Sequence, residues 1–445
     1  MAQTARIQEI QPKEKRDLLG PDVGRRIRAV RHRQGLSLAQ VGGDDLSRSF
    51  LSLVESGRSR ISLRALAIVA DKLQTPIGSF LQDEDVLRVA ELTRDYAEIE
   101  LENGNPEAAI AALESCGELD EPRTQWILGR AFMRMNDLPS AVTRLRSAVE
   151  LASATGDSNL IGETLYSLGR ALYLLDNYEE ALTRLREGLD HALREPSNPA
   201  LQARLHILVG HVHYVRDEIQ PALASYDSAT KLYGSLYELD KVGSVFSAMS
   251  LASKKQGDLD AALRYSKQSV ATYRLKRDWK LLAQELNNMA MRYIDRGEFD
   301  AAAERALEAV RKATEVGEKE VQAYSRATLA SVFLQQGRVE EAEEQAMLAE
   351  SLAGDSFPFA LVDVWLVRGN IAHMRGDHAA VDPLYRKALD ALRPLGHRSR
   401  FKETSLEYSR ILRERGDLQA ALQAAMWAAG EPYQVQSAEA ASEVA

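Results

Sequence analysis

The chain has 445 residues, 45% of them hydrophobic and 27% charged, with a net charge of −9. This is the make-up of a globular protein with room for two or three domains. No apolar run reaches the ~18 residues needed to cross a bilayer, and the charged stretch Met1–Gly20 lacks the apolar segment of a secretory signal. The single cysteine, Cys116, excludes an internal disulfide and fits a reducing compartment, so the chain is expected in the cytoplasm with Cys116 in a packing role. Charge is uneven: residues 1–83 carry 14 Lys+Arg against 9 Asp+Glu, a net of +5, and the remainder carries a net of −14. A basic head on an acidic body suits a chain in which only the head approaches a polyanion.

Residues 1–20 are expected to form a flexible segment. A compact head is expected over 21–83 as four or five short helices. The first runs Val23–Gln34, with Ile27 and Val30 inward and Gly35 as a left-handed cap. Ser37 caps a short helix from Leu38 to Val41, and Gly42-Gly43-Asp44-Asp45 makes a turn. Ser47 caps Arg48–Ser56, closed by Gly57; Ser62 caps Leu63–Leu73; a last turn covers Ile77–Leu81.

This segment resembles the lambda-repressor/Cro-like (XRE-type) DNA-binding domain. The resemblance rests on Arg31-His32-Arg33-Gln34-Gly35-Leu36-Ser37-Leu38, on Leu46 through Gly57, and on Leu63 through Leu73. It implies a helix-turn-helix whose recognition helix begins at Arg48. On that helix Leu51 and Val54 face the core with Phe50, while Arg48, Ser49 and Ser52 share the opposite side. Arginine bridges guanine O6 and N7 and serine suits several bases, so these three are the expected base readers. Arg58 and Arg60 follow the helix, where cations meet phosphates. Arg25, Arg26 and Arg28 on the first helix are candidates for further backbone contact. Glu55 is read as structural, a carboxylate tying the recognition helix to its neighbours.

From residue 84 to 430 the chain repeats. Turn residues fall at Gly104, Asn136, Asp176, Asp217, Gly257, Gly297, Gly337, Gly376 and Gly416, a first step of 32 and then steps of 39–41 residues. Small residues recur seven before, five after and twelve after each turn, as Gly129, Ala141 and Ala148 do around Asn136. Two helices approach closely only where side chains are small, so these columns mark the crossings of paired helices. The units resemble tetratricopeptide repeats lengthened to about 40 residues. The fold class expected is all-α: a helix-turn-helix head followed by a right-handed superhelix of about nine hairpins. Residues 431–445 are expected to be a disordered tail.

In such repeats, first-helix positions line a groove. Here those positions supply seven Lys or Arg (Arg123, Arg130, Arg134, Arg170, Arg204, Lys254, Lys255) against Glu163, Asp295 and Asp363, a basic lining in an acidic body. Arg170, His211, Lys254, Asn287 and Asn370 are the candidate ligand contacts, since amides and guanidinium groups suit peptide backbones and carboxylates. Asn288 is read as a packing residue. The head-plus-repeat order resembles Gram-positive regulators that bind quorum-sensing peptides. That resemblance implies a peptide or other small ligand in the groove, and since a single head reads only a short half-site, a homodimer on an inverted repeat of double-stranded DNA is expected. The alternative is a regulator or scaffold whose repeats hold a partner protein. His206, His211 and His213 lack the i,i+4 spacing of a zinc helix, and no phosphate loop or nucleophile elbow occurs. Neither a metal, a cofactor nor a catalytic site is expected.

Overall fold

Three serines start three helices of the head. Ser37, Ser47 and Ser62 each accept the backbone N–H of the residue three positions on, and Gln40 returns a bond to Ser37, completing a capping box. The computed structural model describes residues 22–43, 45–80, 83–116, 120–194, 198–354, 356–394 and 398–430. The expectations for residues 1–20 and 431–445, and those for Asp44 and the Cys116 side chain, lie outside what is described. The head comprises α1 (Asp22–Arg33), α2 (Leu38–Gly42), α3 (Arg48–Glu55), α4 (Leu63–Lys72) and a 3-10 turn at Ile77–Phe80. Val23, Ile27, Leu51, Val54, Leu66 and Phe80 form its core, and Val30 and Phe50 pack at the margin.

Nine hairpins follow among the described residues. The first five are α5 (Asp83–Glu102) with α6 (Pro106–Cys116), α7 (Pro122–Arg134) with α8 (Leu138–Thr155), α9 (Ser158–Leu174) with α10 (Tyr178–Arg194), α11 (Pro199–Val215) with α12 (Ile219–Ser235), and α13 (Leu239–Gln256) with α14 (Leu259–Lys276). The last four are α15 (Trp279–Asp295) with α16 (Phe299–Glu315), α17 (Lys319–Gln335) with α18 (Val339–Ala353), α19 (Pro358–Met374) with α20 (His378–Leu392), and α21 (Arg398–Glu414) with α22 (Leu418–Ala428). Contacts divide the chain into two units, Met1–Leu201 and Gln202–Ala445, so the division falls in the first turn of α11. The first unit holds the head and three hairpins; the second holds the other six.

All nine predicted turn residues adopt left-handed φ, between 60° and 87°. Glycine, asparagine and aspartate are the residues that tolerate it. The column five residues later is buried throughout, from Ala109 to Ala421. The column seven residues before the turn meets a residue sixteen positions on, and the two trade size. A Cβ on Gly169 would come within 2.6 Å of Leu185, and one on Gly210 within 2.4 Å of the Tyr226 ring. Ala290 and Ala330 instead share a cluster with Ala306 and Ala346.

Gly24 sets the distance between α1 and α3. A Cβ there would stand 1.8 Å from the Val54 carbonyl oxygen, and backbone cannot swing aside as a side chain can. Gly24→Ala is therefore expected to cost the head about 1–3 kcal/mol, the usual range for overpacking. Faster amide hydrogen exchange in α3, with the second unit unaffected, checks it.

Candidate functional site

The two faces of α3 divide as the residue spacing implies. Arg48, Ser49 and Ser52 are exposed on one side of the helix, and Leu51 and Val54 are buried on the other. Arg58 and Arg60 are exposed in the loop beyond, which is held by the Leu53 carbonyl accepting from the amides of Arg58 and Ser59 at 2.9 and 3.1 Å. No ion pair engages Arg48, Arg58 or Arg60 among the described residues. Leu53 is 44% exposed beside Ser52, an apolar neighbour of the polar face that the sequence reading passed over. Glu55 is structural as expected: its carboxylate accepts from Arg31 Nε at 2.6 Å and Nη2 at 2.7 Å, both side chains being buried. Arg31 Nη1 also donates to the Leu36 carbonyl at 2.8 Å, so one guanidinium joins α1, the turn before α2 and the end of α3. The first-helix arginines are less available than expected. Arg26 donates to the Phe80 carbonyl at 2.6 Å, and Arg25 is paired with Asp22. Arg28 remains exposed.

The basic lining of the repeats is largely answered by acids. In the first unit Arg123 pairs with Asp95 and Glu98, and Arg130 lies 3.5 Å from Glu98 and 4.7 Å above the Trp126 ring. Burial, the larger effect, holds the Arg130 pKa below its ordinary value. Arg170 on α9 is exposed. In the second unit Lys254 donates to Asp295 at 2.9 Å and Lys255 lies 3.0 Å from Asp217. Asp295 is one of the groove acids already counted, but Asp95 and Glu98 on α5 and the turn residue Asp217 fall outside the counted positions, so the surplus of positive charge is smaller than those positions imply.

The remaining candidates are spread along the second unit rather than gathered. His211 on α11 meets Tyr226 edge-on at 5.7 Å, and burial pushes its pKa down. Asn370 on α19 donates to Glu407 at 2.8 Å and accepts from the Tyr385 hydroxyl at 3.0 Å. Asn287 on α15 is 9% exposed, and its carbonyl oxygen has no hydrogen-bond partner among the described residues. Its neighbour Asn288 is the one at a cavity.

That cavity, about 350 Å³, lies between α13 and α15 where the two first helices do not pack closely. Ser244 and Ser247 face it from α13, Tyr273 from α14, and Glu285, Asn288 and Arg292 from α15. Glu285 is 3% exposed and accepts from Ser247 at 2.7 Å, Ser266 at 3.0 Å and Asn288 at 3.2 Å. Burial pushes its pKa up and that of Arg292 down. Tyr273 is likewise raised, first by burial and then by Glu285. Glu285 and Arg292 were not legible as site residues because they sit in core columns rather than groove columns.

Fold and site together define a helix-turn-helix head joined to a run of helical-hairpin repeats. A helix-turn-helix domain model matches residues 22–78, and tetratricopeptide-repeat models match 120–194 and 287–356. The chain thus joins a helix-turn-helix domain to tetratricopeptide repeats. Among solved structures it is similar to the apo form of RapI, at 12% identity over 77% of this chain and 96% of that one, with a TM-score of 0.60. The apo quorum sensor NprR from B. thuringiensis is similar at 13% identity over 78% and 98%, with a TM-score of 0.52. A STAND ATPase with a tetratricopeptide-repeat sensor from Pyrococcus horikoshii is similar at 16% identity over 73% of this chain and 47% of its own, with a TM-score of 0.53. At such identities the likeness is one of fold. Comparison with curated protein sequences finds no match. No helix of the described residues is long and apolar enough to cross a membrane.

Proposed function

We propose that this is a cytoplasmic, sequence-specific transcription regulator. In this reading it binds an inverted repeat as a homodimer and answers to a peptide or other small ligand held by its repeats. The observation that carries it is the α3 face: Arg48, Ser49 and Ser52 exposed together at the start of the second helix of a helix-turn-helix, with Arg58 and Arg60 beyond. A recognition helix meets base edges with its N-terminal residues. Val89 of α5 packs into the head core, so the first repeat helix is continuous with the DNA-reading unit. A ligand that favours one packing of the repeats has a mechanical route to the head, provided it binds the two states unequally. NprR, similar in fold, is a quorum sensor, which supports a signalling role for such repeats.

The pairing of Lys254, Lys255, Asn370 and His373 with acids favours a second reading, in which the repeats hold a partner protein and no diffusible ligand. A titration of operator affinity against extract fractions, separated into small molecules and proteins, decides between the two.

The DNA reading is tested by two arginines with different tasks. Arg48→Ala is expected to weaken binding to the preferred site by about 1–3 kcal/mol and to relax one base pair of the preference. Arg60→Ala is expected to weaken all sequences alike and lower the salt slope by about 1. Selection from random duplexes, followed by salt titration of each variant, measures both. Equal losses on random and selected DNA for both variants would refute the division of labour.

A further inference from the structure

The repeats supply their own standard for what each position needs. Twelve residues before the turn lies a buried column: Thr124 and Thr164 in the first unit, Leu205, Val245, Val364 and Thr404 in the second. In the α15 hairpin that position is Glu285. Five residues before the turn lies a second buried column, Ala131 and Ala171 in the first unit and Val212, Ala252, Val332 and Ile371 in the second. In the same hairpin that position is Arg292. Two core columns are thus broken in one helix, by opposite charges, and both side chains line the same cavity.

Packing does not explain the pair. Neighbouring hairpins fill the same two positions with small or apolar side chains, and burying an ion costs several kcal/mol unless it is well paired. Glu285 and Arg292 attract one another through space but form no hydrogen-bonded ion pair among the described residues. Seven residues apart, they stand about 10 Å apart along the axis on one face of α15. All three hydrogen bonds to Glu285 come from neutral donors, two hydroxyls and an amide. Arg292 donates to Asp295 at 3.0 Å, but Lys254 shares that carboxylate at 2.9 Å. Two cations on one acid leave a positive surplus at one end of the cavity, and among the described residues no cation is in hydrogen-bond contact with Glu285. Burial disfavours the charged form of both groups, and each would gain from an opposite charge. Asn288 and Gln284 add amides to the wall.

We infer that the cavity between α13 and α15 binds a small zwitterion, a free amino acid or dipeptide, with its ammonium group toward Glu285 and its carboxylate toward Arg292. The volume, about 350 Å³, suits that size, at the lower end of small-molecule sites. The site rests on the reading of the repeats as effector-binding and gives that reading a place and a ligand class.

The test is calorimetric titration of the full chain with the twenty amino acids and a set of dipeptides. At least one is expected to bind with a Kd of about 1 mM or tighter. Its N-acetyl and carboxamide derivatives, each lacking one charge, are expected to bind at least about tenfold weaker, the effect of losing one charge-assisted contact. Glu285→Thr and Arg292→Ala install residues from the matching columns. Each is expected to weaken binding at least about tenfold, and affinity rather than melting temperature is the readout, since Glu285→Thr also strands three hydrogen-bond donors. A purely structural role for the pair predicts unchanged affinity in each variant that remains folded. Glu285→Gln, nearly isosteric, repeats the ammonium arm without altering the cavity shape. Absence of binding by every amino acid and dipeptide overturns the inference, as does full binding of the N-acetyl and carboxamide derivatives. Binding that leaves operator affinity unmoved would sink the sensor reading of the repeats and leave the site standing.

Discussion

Glu55→Ala is expected to destabilise the head by about 3–5 kcal/mol and to abolish operator binding. The reason is what remains behind. Arg31 is 8% exposed, and its guanidinium is held by a bidentate pair with Glu55 and one bond to the Leu36 carbonyl. The pairing raises the Arg31 pKa, first through the hydrogen bond to Glu55. Arginine does not shed its proton, so removal of Glu55 strands a buried charge. The end of α3 would swing from α1, and with it the exposed face that begins at Arg48. Hydrogen exchange of α1 and α3 amides should quicken by about a hundredfold to several thousandfold, the factor corresponding to ~3–5 kcal/mol. The second unit should exchange as before. A variant that pairs Arg31→Met with Glu55→Leu removes both charges and should recover much of the loss, because apolar replacement of a buried ion pair is often close to neutral. Unchanged α3 exchange in the Glu55→Ala chain would show that the pair does not hold the head.

What could be read from the sequence was what is decided locally. Ser37, Ser47 and Ser62 cap their helices through bonds spanning three residues, and left-handed turns are single-residue decisions, so all three caps and all nine turns were legible. Pairings across hairpins were not. Lys254 meets Asp295 forty-one residues away, and nothing in the spacing of either says so. Asn287 and Asn288 show how finely a face must be known. One residue is about 100° of helix rotation, enough to exchange a buried amide for one that lines a cavity. The cavity itself depends on which first helices stay apart, a property of packing rather than of any one position. Its charged residues were hidden because they occupy columns whose role elsewhere is core.

Gly210 and Tyr226 should show strong coupling, and the repeats themselves supply the control. Gly210 sits seven before its turn, where a Cβ would come within 2.4 Å of the Tyr226 ring. That ring is 2% exposed and belongs to the core of the hairpin formed by α11 and α12. Gly210→Ala alone is expected to cost about 1–3 kcal/mol by overpacking, since the buried ring has little room to retreat. Tyr226→Ala alone is expected to cost about 3–5 kcal/mol, the range for emptying an aromatic from a core. The double variant recreates the pair that Ala290 and Ala306 form four helices later, where small meets small and both are fully buried. Its new methyl group occupies space that the ring vacated. The double variant should therefore be more stable than the sum of the single losses by about 1–3 kcal/mol, as contacting residues usually couple. Chemical denaturation of the four chains measures this directly. Strict additivity would mean that residues 210 and 226 do not limit one another and that the crossing distance between α11 and α12 is set elsewhere.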